Sequence, residues 1–312
     1  MKNLVVLLFL MILFQNNYSQ VKTNLKPEPI IDMHMHTGLP HPVPPGTLSL
    51  CRPEPCEGDV AATIDPAAHL KKTLEIMDRY NIVKAFVSGF DLQNIHKWKT
   101  AAPNRFITSH FILNPGKPDV QKLREEISAG NLQGMGEIGT QLMGIPPNDP
   151  KLEPYFALAE GQDLPVLIHT LGIGPYMANF RSAAGNPLLL EDVLLKHPKL
   201  RLYVENAGYP YKEEMIAMMY QYPQLYADVS TITWVIPRTE FYNYLESLIK
   251  AGLGKRIMFG SDQMVWPEKI AEAIEAIEQA PFLTKQQKRD IFYNNAVSFL
   301  HLDESDNIAS QR

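Results

Sequence analysis

Residues 30–38 read IIDMHMHTG, a short apolar run that ends in two histidines one residue apart, His34 and His36. A run of this length, closed by a turn-forming glycine, suits a buried strand. The same form recurs along the chain in IVKAFVSG (82–89), RFITSHFILN (105–114), LQGMGEIG (132–139), LPVLIHT (164–170), LRLYVEN (200–206), QLYADVS (224–230) and RIMFGSD (256–262). Between most of these runs lie helix-like segments: DPAAHLKKTLEIMDRYN (65–81), PDVQKLREEISAG (118–130), EPYFALAEGQD (153–163) and PEKIAEAIEAIEQA (267–280). Asp65, followed by Pro66, and Asp119 stand where a carboxylate can accept the free N–H groups of a helix start. Eight strand–helix alternations predict an α/β fold, a single (β/α)8 TIM barrel. An open doubly wound sheet is the runner-up, but no glycine-rich phosphate loop follows the first strand.

The barrel occupies residues 20–302 on this reading, with 303–312 as a polar C-terminal tail. Residues 1–19 have the layout of a secretory signal peptide: Lys2, the apolar run Leu4 to Phe14, then QNNYSQ with the small Ser19 at a cleavage point. The run falls short of the ~20 residues a spanning helix needs. Export to the periplasm or beyond follows, with no membrane contact after cleavage. The leader holds one basic residue and no acid, so its removal leaves 28 basic against 34 acidic residues, a formal charge of −6 rather than −5. A mildly acidic chain without a Lys/Arg block argues against nucleic acid as partner. In an oxidising compartment Cys51 and Cys56 of CRPEPC are expected to form a disulfide, although a two-cysteine metal site stays open.

In a barrel of this kind the catalytic groups stand at the C-terminal ends of the strands. The first run ends in His34 and His36, the fourth in Glu137 and the fifth in His169. The last three end in Asn206, Asp228 and Asp262. Strand alternation points His34 and His36 into the barrel mouth and Met33 and Met35 out toward the helices. Two hydrogen-bonded core histidines would also fit the first stretch taken alone. With His169 and Asp262 added, three imidazoles and a carboxylate make a shell for one divalent metal ion of Zn²⁺ type, with Mn²⁺ or Fe²⁺ as alternatives.

The motifs DMHMH, GEIGTQ, PVLIHT, RIMFGSDQMVWP and YNNAVSFL, in this order, resemble the amidohydrolase superfamily and its amidohydrolase-related (amidohydrolase 2) branch. The resemblance spans about Ile30 to Leu302. It implies a metal at the strand ends of a (β/α)8 barrel and activities that are mostly hydrolytic or lactonase, with some non-oxidative decarboxylases and hydratases. His34, His36, His169 and Asp262 fall on the branch's ligand positions, and Asp262 also on that of its proton-transferring carboxylate. Asn206 departs from the pattern, for the branch usually has histidine there. In relatives with two metals that histidine helps to bind the second ion, so Asn206 favours a single ion or a weakened second site.

Asn206 cannot exchange protons near neutral pH but can hydrogen-bond. Glu205 beside it points to the other face if the strand is regular, and inward only if the strand bulges. Glu137 lies between glycines that leave room for a ligand, so it could bind metal, act as general acid or hold neighbouring groups. Arg52, Arg181 and Arg238 lie in segments that should rim the mouth, where a guanidinium suits a substrate carboxylate. Solvated surface arginines are the plainer alternative.

The expected function is metal-dependent hydrolysis of a small ester, lactone or amide by an exported enzyme, with Asp262, Glu137 and Asn206 as catalytic candidates. A decarboxylase of an aromatic or enoic acid is the alternative within enzymes. A catalytically silent small-molecule-binding protein is the alternative outside them. Association into a homo-oligomer stays open.

Overall fold

The computed structural model describes residues 27–38, 62–174 and 178–302. The expected leader, the polar tail, Arg52, Cys51 and Cys56 lie outside the described residues.

Eight strands alternate with eight helices, each strand falling on one of the eight apolar runs. The order is β1 (Ile30–His36), α1 (Pro66–Arg79), β2 (Ile82–Gly89), α2 (Leu92–Ala101), β3 (Phe106–His110), α3 (Val120–Ser128), β4 (Met135–Ile138) and α4 (Glu153–Gly161). There follow β5 (Val166–Ile168), α5 (Glu191–Lys196), β6 (Leu202–Val204), α6 (Lys212–Gln221), β7 (Tyr226–Asp228), α7 (Arg238–Lys250), β8 (Ile257–Met258) and α8 (Lys269–Glu278). No helix among the described residues is long and apolar enough to cross a membrane. The strands pair in parallel, β1 to β3 in one ladder and β4 to β8 in another.

Two sets of backbone bonds join these ladders into a closed barrel. Between β3 and β4, Ile112 donates to the Glu137 carbonyl at 2.8 Å and accepts from Gly139 at 3.0 Å. Between β8 and β1, Met33 donates to Phe259 and Asp262 donates to His34, each at 2.8 Å. An open doubly wound sheet would leave two edges unpaired, so closure decides between the two folds that the alternation allows.

The barrel interior is filled by Ile31, Met33, Phe86, Leu167, Tyr203 and Met258, drawn from strands on opposite sides. Phe299, from the last helix Asn295–Leu300, packs on Tyr203 and Tyr226 at 5.2 and 5.0 Å between ring centroids. Met33 corrects the simple alternation. Its register against β2 slips between Asp32 and Met35, so Met33 joins the interior while Met35 packs in the outer core. His34 still faces inward, and the slip lets Asp32 accept from the His34 N–H at 3.0 Å.

Both expected caps are present: Asp65 accepts from Ala68 N–H, and Asp119 from Gln121 and Lys122 N–H. Asp65 is exposed, so its carboxylate acts on helix α1 and on little else. Asp65→Ala is expected to cost about 1 kcal/mol and to lower the melting temperature by roughly 2–4 °C. Unchanged thermal unfolding would show that Pro66 alone starts the helix.

Candidate metal centre

His34 and His36 leave β1 side by side, with ring centroids 5.0 Å apart and Nε2 atoms 3.1 Å apart. Glu137 Oε2 lies 3.2 Å from the first Nε2 and 3.3 Å from the second. Asp262 Oδ1 lies 2.9 Å from His36 Nε2 and 3.7 Å from His34 Nε2. Ligand atoms bound to one small divalent ion at 2.0–2.2 Å stand about 3–3.5 Å from each other. The four side chains therefore already have the spacing of a coordination shell. Asp262 Oδ1 is buried and accepts no hydrogen bond, as a ligand atom awaiting a cation would be.

Local backbone explains how these atoms meet. Gly136 has φ +98, and a Cβ there would lie 2.3 Å from the Leu167 carbonyl oxygen. Only glycine lets β4 run this close to β5 just before Glu137. A Cβ at Gly260 would stand 2.9 Å from that of His34, so this glycine lets the chain after β8 pass over β1. Asp262 then takes φ +47, a conformation that aspartate tolerates better than most residues.

The supporting contacts are specific. His34 Nδ1 lies 3.0 Å from Ser230 Oγ and 3.3 Å from Asp228 Oδ2, so its other nitrogen is free to face the cluster. Thr231 donates its hydroxyl to Asp262 Oδ2. Gln263 clamps the His36 backbone, accepting from its N–H at 2.9 Å and donating to its carbonyl at 2.8 Å.

His169 stands on the other side of Glu137. Its Nδ1 is 3.0 Å from Glu137 Oε1 and 2.9 Å from Glu205 Oε2, while its Nε2 is buried without a hydrogen bond. Glu205 resolves the choice that the sequence leaves open. Strand β6 stops at Val204, and the chain then turns through Glu205–Gly208 with positive φ at Asn206 and Ala207. Alternation no longer applies there, and Glu205 enters the site, 1% exposed. Asn206 is fully buried. Its amide donates to Glu205 Oε1 at 2.7 Å and accepts from Ser230 Oγ and Ile232 N–H, both at 3.3 Å. Its hydrogen bonds thus go to the protein, and it holds Glu205 in place.

Arg181 is exposed in the segment after β5, with Nη1 donating to the Phe180 carbonyl. Arg238 opens α7 beside the Tyr242 ring and lines an outer groove with Tyr80, Glu272 and Glu275. The contacts of both among the described residues are with residues outside the histidine–carboxylate cluster. Glu205, Asp228, Ser230, Thr231 and Gln263 were not assigned to the site from sequence. Asp228 was legible there only as a polar strand end, and Glu205 only as the neighbour of a turn.

Five carboxylates, from Asp32, Glu137, Glu205, Asp228 and Asp262, share this interior with three imidazoles. No Lys or Arg is buried among the described residues. Burial pulls the His34 and His169 pKa values down, yet Asp262 and then Glu205 raise that of His34, and Glu205 and Glu137 raise that of His169, above the usual histidine range. Burial and then the nearby Glu137 push Glu205 up, whereas hydrogen bonds from His169 and His34 hold Glu137 down against burial. Asp32 is pushed up to about 7 by burial. The pocket has an excess of negative charge that a divalent cation would offset.

The remaining described histidines have other settings. His197 pairs with Glu153 and Glu160, and His96 with Glu126. His69 packs on Trp98, its pKa lowered to about 4 by burial.

Residues 31–302 match the sequence profile of the amidohydrolase family. The chain belongs to that family. No curated protein matches it. Among solved structures, this amidohydrolase resembles an uncharacterised TIM-barrel protein from Bordetella bronchiseptica at a TM-score of 0.61 and 18% identity, over 88% of this chain and 99% of that one. It also resembles a probable 2-pyrone-4,6-dicarboxylic acid hydrolase from Acinetobacter baumannii with citric acid bound, at 0.59 and 15%, over 88% and 99% of the two chains. A 5-carboxyvanillate decarboxylase from Novosphingobium aromaticivorans, complexed with manganese and a nitrobenzoic acid, follows at 0.51 and 14%, over 73% and 79%. At these identities the likeness carries the barrel alone.

Proposed function

We propose that this amidohydrolase is an exported, metal-dependent hydrolase of a small ester, lactone or amide. The convergence of His34, His36, Glu137 and Asp262, with pair distances of 2.9–3.7 Å, carries the reading. A divalent ion bound there supplies Lewis acidity, polarising a carbonyl and bringing the pKa of water toward about 7. Asp262 takes the proton of the attacking water and returns it to the leaving group, while Thr231 fixes its second oxygen. His34 is oriented by Ser230 and Asp228. Phe111 lies 6.0 Å from the His36 ring and stacks on Phe90 at 4.2 Å, an apolar wall suited to a small organic acyl group.

Export rests on the apolar run Leu4 to Phe14 with its polar flank, and the Cys51–Cys56 disulfide rests on that export. Zinc is the proposed ion from the mixed imidazole–carboxylate donors.

The test is metal analysis of the purified protein, joined to a screen of lactones, esters, amides and aromatic carboxylates. Bound divalent metal with hydrolysis and no CO₂ release is expected. Release of CO₂ from a carboxylate would replace this reading with a decarboxylase. Absence of turnover on every class would leave a binding protein.

A further inference from the structure

The backbone leading into Glu137 leaves its own strand pairing. Strand β4 pairs with β5 at Met135 and again at Ile138, and the register slips between them. The Glu137 carbonyl is taken up by the Ile112 N–H at 2.8 Å, which leaves the Gly136 carbonyl and the Glu137 N–H to find partners elsewhere. Both find the same one. Ser88 Oγ donates to the Gly136 carbonyl at 3.1 Å and accepts from the Glu137 N–H at 2.8 Å. Ser88 is fully buried and stands on β2, two strands from β4, so this link crosses the barrel interior rather than a strand edge. Alternation sets it there, one step above the interior residue Phe86. The main chain of Ser88 pairs with His36 on β1, and its carbonyl accepts from the Thr37 N–H at 2.9 Å. One residue thus ties the strand end that carries His36 to the peptide that carries Glu137.

We infer that Ser88 is a positioning residue of the site, whose hydroxyl sets the place and direction from which the Glu137 carboxylate reaches His34 and His36. This inference rests on the metal-dependent reading of that cluster. The hydroxyl has a single proton and spends it on the Gly136 carbonyl, so Ser88 acts through Glu137 and not as a nucleophile. A Glu side chain has three rotatable bonds, and its carboxylate stays 3.2–3.3 Å from two imidazole nitrogens only if its backbone start is fixed. Removing the hydroxyl strands a buried N–H and a buried carbonyl together, and the peptide must shift to satisfy them.

The test strips the full-length protein of metal, titrates it with Co²⁺ against a competing chelator, and records the visible absorption of the bound ion, which reports its coordination geometry. Ser88→Ala is expected to bind Co²⁺ about 10- to 100-fold more weakly than wild type, the range typical of groups that orient a ligand, with an altered spectrum. Asp65→Ala, which lowers stability far from the site, should leave affinity and spectrum unchanged. Ser88→Ala added to Glu137→Gln should cost less than about twofold more, because a residue that acts through Glu137 has nothing left to position. Ser88→Thr keeps the hydroxyl and should bind as wild type does, which holds the test open if the alanine variant fails to fold. Equal affinity and spectrum in Ser88→Ala and wild type would overturn the inference. So would a full additional loss in the Glu137→Gln background, or a folded Ser88→Thr that binds tenfold more weakly. A wild type that binds no metal would overturn the proposed function itself, so the two failures are distinct.

Discussion

Asp262→Asn is expected to lower kcat on any accepted substrate by about 10³-fold or more, since loss of a general acid–base group alone typically costs 10²–10⁴-fold. The change keeps shape and volume, so the Thr231 hydroxyl and the His34 carbonyl contact with the Asp262 N–H can persist. What is lost is the negative charge on Oδ1, 2.9 Å from His36 Nε2, and with it both a cation donor and a proton acceptor. Thr231→Val provides the graded comparison. It removes one hydrogen bond to a charged group, worth about 1.5–3 kcal/mol, and should cost roughly 10- to 100-fold. Kinetics of both variants on one substrate, with circular dichroism to confirm folding, measure the difference. Equal activity of Asp262→Asn and wild type would exclude Asp262 from proton transfer.

His34→Ala is expected to weaken metal binding by well over 100-fold, because even residues that only orient a ligand typically contribute 10–100-fold. His34 is fully buried and its two nitrogens face both sides of the site: Nε2 toward Glu137 and Asp262, Nδ1 toward Ser230 and Asp228. Its removal leaves Asp228 Oδ2 without the neighbour that now stands at 3.3 Å. Some loss of stability should therefore accompany the loss of metal. Metal content of the folded fraction separates the two effects. The distinguishing control is Ser230→Ala, which removes the hydroxyl beside Nδ1 together with its bonds to Asp228 and Asn206, leaves Nε2 in place, and should retain the ion with lower affinity. Full occupancy in both His34→Ala and His36→Ala would sink the assignment of β1 as a source of ligands.

The barrel was legible because burial imposes local rules. All eight apolar runs became strands, since a parallel strand covered on both faces must be apolar along its length. Asp65 and Asp119 cap helices because the free N–H groups of a first turn need an acceptor within three residues. His34, His36, His169, Glu137 and Asp262 could be proposed for one site because strand ends of a barrel share one mouth.

Where alternation breaks, sequence reading breaks with it. Met33 entered the interior through a register slip in β1, and Glu205 entered the site through a turn after β6. The arginines near the rim could be placed in their loops, but not oriented. Arg238 went to the groove along α8 because α7 begins there with Tyr242 as its aromatic neighbour.

By itself, the sequence determined the strand and helix order, the caps, and which polar residues end which strand, for these depend on neighbours within a few positions. Only the tertiary structure decided that Glu137 splits its oxygens between His34 and His169, and that Asn206 serves Glu205. It alone placed Ser230 and Asp228 behind His34, nearly two hundred residues along the chain. Those contacts depend on barrel closure and on turn dihedrals at single residues. Both are settled when distant strands pack together, and neither leaves a periodic mark in the chain.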